Sequence, residues 1–296
     1  MMAALRVAEH WEPAPSGAAR CVLCPHRCLV KPGASGRCRA RENRDGVLYA
    51  ATWGIASSLA LDPVEKKPFA RWHPGSRILS VGGFGCNLSC RFCQNHRISQ
   101  VGPEEGEGFT FLPPEALVDA ARATKAEGNV GIAFTYNEPL VAWEYVRDTA
   151  RAARNDSGLA IALVTNGYVN PEPLAELLPL VDAMNIDLKA FTEGFYRDVC
   201  GGSLAPVLET IRAGVASGAH VELTTLVIPG LNDDPDEIAR LASWVASASP
   251  DIVLHLNRHH PDYLMREIEP IARDRLLELR DIAARSVADV RCGNLG

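Results

Sequence analysis

The sequence predicts an α/β protein, an incomplete (β/α)6 barrel with a small Cys-rich N-terminal extension. Three observations predict it. From about residue 77, apolar runs of strand length alternate with stretches of helical period, the pattern of βα repeats and a parallel sheet. The 296 residues suffice for one large α/β domain with an appendage. Seven of the nine cysteines fall before residue 94, and the four of them at 21–38 mark residues 1–75 as a Cys-rich extension ahead of the βα series in 76–296. Periodicity alone also fits an open doubly wound sheet.

The strand candidates are RILSVGG at 77–83, VGIAFT at 130–135, LAIALVT at 159–165, AMNIDLK at 183–189, HVELTTLVIPG at 220–230 and DIVLHLN at 251–257. Between them lie amphipathic stretches such as PEALVDAARATKAEG at 114–128 and DPDEIARLASWVASA at 234–248. Each opens on Pro or acidic residues, which suit a helix N-terminus. Residues 266–296 read as a closing helix with a last short strand near Ala288–Cys292.

Hydrophobic residues make up 47% and charged residues 22%, the usage of a folded soluble protein. With 30 Lys and Arg against 36 Asp and Glu there is no cationic excess for a phosphate backbone, so nucleic acid is not expected as a partner. The first residues, MMAALRVAEHWEPAP, lack a signal-peptide pattern, and no run of about 18 apolar residues occurs. The expectation is a cytoplasmic protein without a membrane segment. In a reducing cytosol, clustered thiols read as metal ligands or catalysts before they read as disulfides.

The segment GGFGCNLSCRFCQN, residues 82–95, follows the first strand of the series with the spacing C-x3-C-x2-C. Three thiolates on one loop, Cys86, Cys90 and Cys93, can hold three irons of a [4Fe-4S] cubane and leave the fourth iron open. Loops after the carboxyl ends of parallel strands are also where ligands bind. Gly82, Gly83 and Gly85 are expected to supply positive φ, and Phe92 to shield the cluster. A zinc loop normally requires a fourth ligand, and a ferredoxin-like carrier a fourth cysteine. Upstream, Cys21, Cys24, Cys28 and Cys38 follow C-x2-C-x3-C-x9-C, enough thiols for tetrahedral zinc or a second cluster, with free thiols as the alternative.

From the three-cysteine loop outward the sequence resembles radical S-adenosylmethionine (SAM) enzymes. The phrases CVLCPHRCLVKPGASGRCRARENRDGVLYA, LDPVEKKP, CRFCQNHRISQ, TYNEP, VTNGYV, NIDLKAF, FYRDVCGG, PVLETI, TTLVIPGLND and HHPDY are similar to those of AmmeMemoRadiSam-system radical SAM enzymes. These are relatives of the pyruvate formate-lyase activating enzymes, and the likeness covers about residues 20–265. It implies the incomplete radical SAM barrel, a [4Fe-4S] cluster, and SAM chelated to the open iron through its amino and carboxylate groups. An electron from the cluster then breaks a C–S bond, giving methionine and a 5′-deoxyadenosyl radical that abstracts hydrogen from substrate.

The resemblance also implies roles. Glu138 in TYNEP stands where related activators carry a Gly-Gly-Glu motif that meets the methionine ammonium; its plain alternative is a helix-capping carboxylate. Thr165 and Asn166 can hydrogen-bond the methionine carboxylate, or form an ordinary turn. Val164 replaces the acidic residue that pyruvate formate-lyase activators commonly have before Thr-Asn-Gly. Asp187 and Lys189 alternate to one side of a strand, suiting ribose hydroxyls and a carboxylate, or a structural ion pair. His255 resembles a ribose-contacting histidine; a lone strand His is otherwise a packed one. Cys200 reads as a small buried residue, and His259 and His260 stand where relatives carry aromatics.

The function expected is therefore SAM cleavage and hydrogen abstraction with a flavodoxin- or ferredoxin-type reductant; the substrate is open between a glycyl-radical enzyme and another protein or a metabolite, a large partner such as a protein being the expectation. The rival reading is an iron-sulfur electron carrier or a zinc-dependent interaction module without SAM cleavage.

Overall fold

In a computed structural model, residues 6–156 and 158–295 are described. Eight strands form one sheet: β1 (Ser58–Pro63), β2 (Arg77–Gly82), β3 (Asn129–Phe134), β4 (Ala160–Thr165), β5 (Ala183–Asp187), β6 (His220–Val227), β7 (Val253–Arg258) and β8 (Asp289–Gly293). Their spatial order is their chain order. Neighbours from β2 to β8 are parallel, and β1 lies antiparallel on β2. A doubly wound sheet reverses its strand order at a switch point. This sheet has no reversal, so the barrel-type winding holds. Each crossover carries a helix: α1 (Pro114–Ala123), α2 (Trp143–Asp156), α3 (Pro171–Leu177), α4 (Ala205–Ala216), α5 (Pro235–Ala248) and α6 (Arg273–Ala283).

The side chains explain which face the helices cover. Along β5, Met184 and Ile186 join the large core that includes Leu163, Ile211, Leu223 and Leu241, whereas Ala183 packs in a separate small cluster. Asn185 and Asp187 share the Ala183 side by strand alternation. Bulky aliphatics thus point to the helices, and small or polar groups to the barrel interior.

That interior is filled by the β1–β2 connection. Phe69, fully buried, packs with Val64 and Ile78 against Ala133, Ala162 and Ala183, and Trp72 packs on the same cluster. Its backbone is held by one carboxylate. Glu222 accepts hydrogen bonds from Ala70 N (2.8 Å) and Arg71 N (2.9 Å), with His220 Nε2 at 2.8 Å and His255 Nε2 at 2.6 Å. Residues 58–72, which the sequence division assigned to the extension, therefore belong to the main sheet and its interior.

The remaining N-terminal residues enter three small antiparallel sheets, Arg6–Val7 with Val47–Ala50 and Arg41–Arg44, Trp11–Pro13 with Ala19–Cys21 and Leu29–Val30, and Ile55–Ala56 with Thr110–Phe111. A buried ion pair docks them on α2: the Arg41 Nη atoms donate to Glu144 at 2.9 and 2.8 Å. Removing one partner of such a pair leaves an uncompensated buried charge, so the dock is specific. Among the described residues no helix is long and apolar enough to cross a membrane.

Burial alone would raise the Glu222 carboxyl, but its hydrogen bonds from His220, His255, Arg71 and Ala70 outweigh burial and hold it down at about 2, below the ordinary 4.5. A carboxyl depressed in the folded state stabilises it above the unfolded value, and that stability is lost as pH falls toward the folded value. Urea unfolding from pH 6 to 2 is expected to show Glu222→Gln losing less stability than wild type between about pH 5 and 2, by on the order of 3 kcal/mol. Parallel pH profiles would show that Glu222 does not anchor the interior.

Candidate functional site

Parallel strands in sequential order bring every βα loop to one rim. There a cavity of about 320 Å3 is lined by Cys86, Cys90, Cys93, Glu138, Thr165, Asn166, Asp187 and Lys189. Residues spread over about a hundred positions of the chain thus face one space.

The cysteine loop leaves β2 at Gly82. Only one of its three glycines has a positive φ, Gly85 at +82°, and a Cβ there would lie 2.3 Å from the Cys38 carbonyl oxygen. Gly82 is needed for close packing: its Cβ would meet the Tyr136 ring at 2.9 Å. Cys86 Sγ accepts from Leu88 N at 3.4 Å and from Asn166 Nδ2 at 3.5 Å, while Cys93 Sγ lies 3.2 Å from Ser99 Oγ. Burial, then the Glu138 carboxylate, pushes the Cys86 thiol well up. Ligation as thiolate therefore needs the positive charge of a metal. Phe92, buried between two of the cysteines, lines the cavity, with Lys189 Nζ 5.6 Å from its ring centroid.

A π-helical turn, Tyr196–Cys200, braces the loop from behind. Its carbonyls accept from Ser89 N (2.8 Å, Cys200 O) and Arg91 N (3.1 Å, Val199 O). Cys200 lies beside Cys90 and lowers the pKa of its thiol, a neighbour that sequence reasoning did not find, because a single cysteine over a hundred positions downstream carries no spacing signal. Such turns often mark functional sites. Among the described residues no three His, Cys, Asp or Glu side chains converge on one point as ligands of a single ion. Thiols that each hold a different iron need no such convergence, so three soft donors on one loop suit a cubane.

Glu138 is both a cap and a site residue. Its Oε1 accepts from Leu140 N (2.8 Å) and Thr165 Oγ1 (2.7 Å), and its Oε2 from Asn166 N (2.7 Å). Burial nevertheless wins over these hydrogen bonds and raises its pKa to about 7. Asn166 Nδ2 also donates to Asn87 Oδ1 at 2.9 Å, joining the β4 loop to the cysteine loop. At the end of β5, Lys189 Nζ sits 2.9 Å from Asp187 Oδ2, and Asp187 pairs in register with Thr224 of β6. Burial opposes the Lys189 charge, but Asp187, Cys90 and Cys200 together outweigh it, so the ammonium is held well above its usual range.

His255 lies apart. It lines a different cavity, of about 400 Å3, between the 65–70 segment and β8, and its Nε2 is taken by Glu222. The four N-terminal cysteines, Cys21, Cys24, Cys28 and Cys38, line a third, small cavity with His26, Arg41 and Asn87. His259 is buried.

Sequence reasoning missed Lys66, Lys67 and Tyr136, which also line the main cavity. Lys67 Nζ is 2.9 Å from Asp62 Oδ2 and 4.1 Å from the Tyr136 ring centroid, and Tyr136 OH donates to Asp62 Oδ2 at 2.8 Å. Burial would raise the Asp62 carboxyl; its hydrogen bonds with Lys67, Tyr136 and Lys66 prevail and depress it. The signal was present in LDPVEKKP, two adjacent lysines between prolines, but nothing local joins that phrase to the rim.

The family model of the Radical SAM superfamily matches residues 80–242. An uncharacterized protein of Methanocaldococcus jannaschii is 39% identical over 280 residues, covering 94% of this chain and 82% of that protein. The pyruvate formate-lyase 1-activating enzyme of Escherichia coli K12 is 28% identical over 173 residues, 58% of this chain and 69% of the enzyme. Among solved structures, a radical SAM methyltransferase from Sphaerobacter thermophilus superposes with a TM-score of 0.58 at 17% identity, over 74% of this chain and 66% of that one, a likeness of fold. The family implies a [4Fe-4S] cluster and SAM, and the match extends over more than half of the chain, from β2 through most of α5. On these grounds the chain belongs to the Radical SAM superfamily.

Proposed function

We propose that this protein cleaves SAM reductively at an open-site [4Fe-4S] cluster held by Cys86, Cys90 and Cys93, and abstracts hydrogen from a protein substrate. The observation that carries the reading is the common cavity: three thiols of one loop face Glu138, Thr165, Asn166, Asp187 and Lys189 across about 320 Å3, within the range of small-molecule sites. When bound, the cluster and SAM supply one-electron cleavage of a carbon–sulfur bond and, from it, removal of a hydrogen atom from substrate.

The chain's own residues bind and orient. Glu138 is the acceptor for the SAM ammonium, and Thr165 and Asn166 fix its carboxylate oxygens in place while marking the rim for the SAM carboxylate. Asp187 meets the ribose hydroxyls and Lys189 supplies a cation beside it. Phe92 excludes water from the cysteine side. Lys66 and Lys67 line the same space and suit an anionic group of SAM or substrate. The protein-substrate reading is supported by the name of the E. coli relative, an activating enzyme for another enzyme. A flavodoxin- or ferredoxin-type protein is the proposed electron source.

The experiment is anaerobic reconstitution with iron and sulfide, reduction with dithionite, and assay for 5′-deoxyadenosine from SAM. Production of the nucleoside, increased by a protein fraction, supports the reading. A reducible cluster with no SAM cleavage would select an electron carrier instead.

Cys93→Ala is expected to lose iron and to lower deoxyadenosine formation at least about a hundredfold, because the thiolate is a ligand on a loop. Circular dichroism should stay as in wild type. A variant that still cleaves SAM normally would remove Cys93 from the site.

Glu138 must be ionised to accept from an ammonium, and its carboxyl sits at about 7 before SAM brings that charge. SAM affinity, measured by calorimetry on the reconstituted protein, should therefore rise from pH 6 to 8 and level off above the carboxyl's value. Glu138→Gln should bind about 10- to 100-fold more weakly at pH 8, with iron content retained and the pH dependence flattened. Wild-type affinity in that variant would move the ammonium site elsewhere.

A further inference from the structure

We propose that Cys21, Cys24, Cys28 and Cys38 bind a single Zn2+ that staples the N-terminal extension against the loop of Cys86, Cys90 and Cys93. The four thiols line one cavity of about 20 Å3. Four soft sulfur donors suit tetrahedral zinc.

The backbone presents these thiols on tight turns. Arg27 N donates to Cys24 O at 3.1 Å with Arg27 at φ +45°, and Arg39 N donates to Gly36 O at 2.9 Å with Arg39 at φ +62°, one turn around Cys24 and the other around Cys38. Cys21 N donates to Cys28 O at 2.9 Å, which fixes the other two side by side. All four are free thiols.

Arg41 gives an independent sign of a ligand. It is wholly buried, lines the same cavity, and spends both Nη atoms on Glu144, but its Nε is a buried donor with no acceptor. Buried donors in native proteins are almost always paired. Four thiolates around a divalent ion carry net negative charge, and would offer this guanidinium both an acceptor and a countercharge.

The extension also has reason to need a staple. In residues 6–57 the strands are two to four residues long, and the buried aliphatics larger than Ala are Leu23, Val30 and Leu48. A unit with so little core commonly relies on a metal or disulfides. Among the described residues the four side chains are not drawn to one point. Binding entails loss of the thiol protons and inward rotation of the side chains.

The site touches the cysteine loop through several contacts. His26 Nε2 lies 2.7 Å from Asn87 O, Arg37 Nη2 donates to Ser89 Oγ at 3.4 Å, and the Cys38 carbonyl meets Gly85.

Two full-length variants made in medium containing iron and zinc test the inference by metal analysis. The Cys86→Ala, Cys90→Ala, Cys93→Ala triple variant is expected to lose iron and keep about one zinc per chain. The Cys24→Ala, Cys38→Ala variant is expected to keep iron and lose zinc at least about tenfold. Zinc-free triple variant, iron in place of zinc at the four-cysteine site, or zinc unchanged in the double variant would each overturn the proposal. As a measurement independent of the double variant's folding, Co2+ is also added anaerobically to the metal-stripped triple variant, whose four N-terminal cysteines are intact. The ligand-field bands of a tetrahedral cobalt–thiolate centre, saturating at about one equivalent, support the site, and their absence sinks it.

Discussion

One buried carboxylate organises the rim. A carboxylate has about four acceptor sites, and Glu138 commits three of them to Leu140 N, Thr165 Oγ1 and Asn166 N. The β3 and β4 loops are thereby fixed to each other, and Asn166 extends the connection to Asn87 and Cys86 on the cysteine loop. One acceptor site is left for a ligand. Since burial still raises the Glu138 carboxyl to about 7, three neutral donors do not supply what the buried charge requires. A cation at the fourth position would, which is the electrostatic condition an ammonium group meets.

The barrel interior follows a second rule, that polar groups taken out of water must find partners. Glu222 is the inward residue of a central strand, and it is satisfied by two backbone amides and two histidines. Those amides belong to residues 70 and 71, so the same bonds that satisfy the carboxylate also pull the β1–β2 connection into the barrel. Lys66 and Lys67, in that connection, are thereby delivered to the cavity wall. Arg71 Nε continues the line to Asp289 Oδ2 of β8 at 2.8 Å, joining the two ends of the open sheet with a side-chain bridge where strand pairing is missing.

Much of this was legible in the sequence, and the reason is locality. Six of the seven parallel strands were visible as apolar runs, because burial on both faces forces a short unbroken stretch of hydrophobic residues. The three cysteines at the rim were visible as a motif because thiols on one loop must be close in sequence. Asp187 and Lys189 were visible as a same-side pair by strand alternation, and they do form an ion pair. What was not legible is non-local. Nothing near Ala70 announces a bond to Glu222, and nothing in LDPVEKKP announces the rim. His255 shows the limit most clearly: strand alternation correctly turns it inward, but only the neighbouring strand decides that Glu222, not the cavity at the rim, receives its Nε2. The glycines of the cysteine loop divide the same way, with positive φ at Gly85 as the sequence suggested, and close packing against Tyr136 at Gly82, which no local pattern encodes.

The extension has its own place in this logic. A loop that carries three thiols of one cavity gains precision when its backbone is overdetermined, since misplacing a donor weakens a site. Here the cysteine loop is gripped from two sides. The π-helical turn accepts from Ser89 N and Arg91 N, and the N-terminal segment meets Gly85, Asn87 and Ser89. Asn170, which donates to Val22 O at 2.7 Å and whose amide bonds Leu23 O at 3.0 Å, ties the same segment to the β4 loop that holds Thr165 and Asn166. The buried Arg41–Glu144 pair then locks the whole unit to α2, and such a pair tolerates few alternative positions because each leaves a charge unpaired. The extension is therefore a brace on the site itself, reaching both the cysteine loop and the opposite wall of the cavity, and its geometry sets theirs.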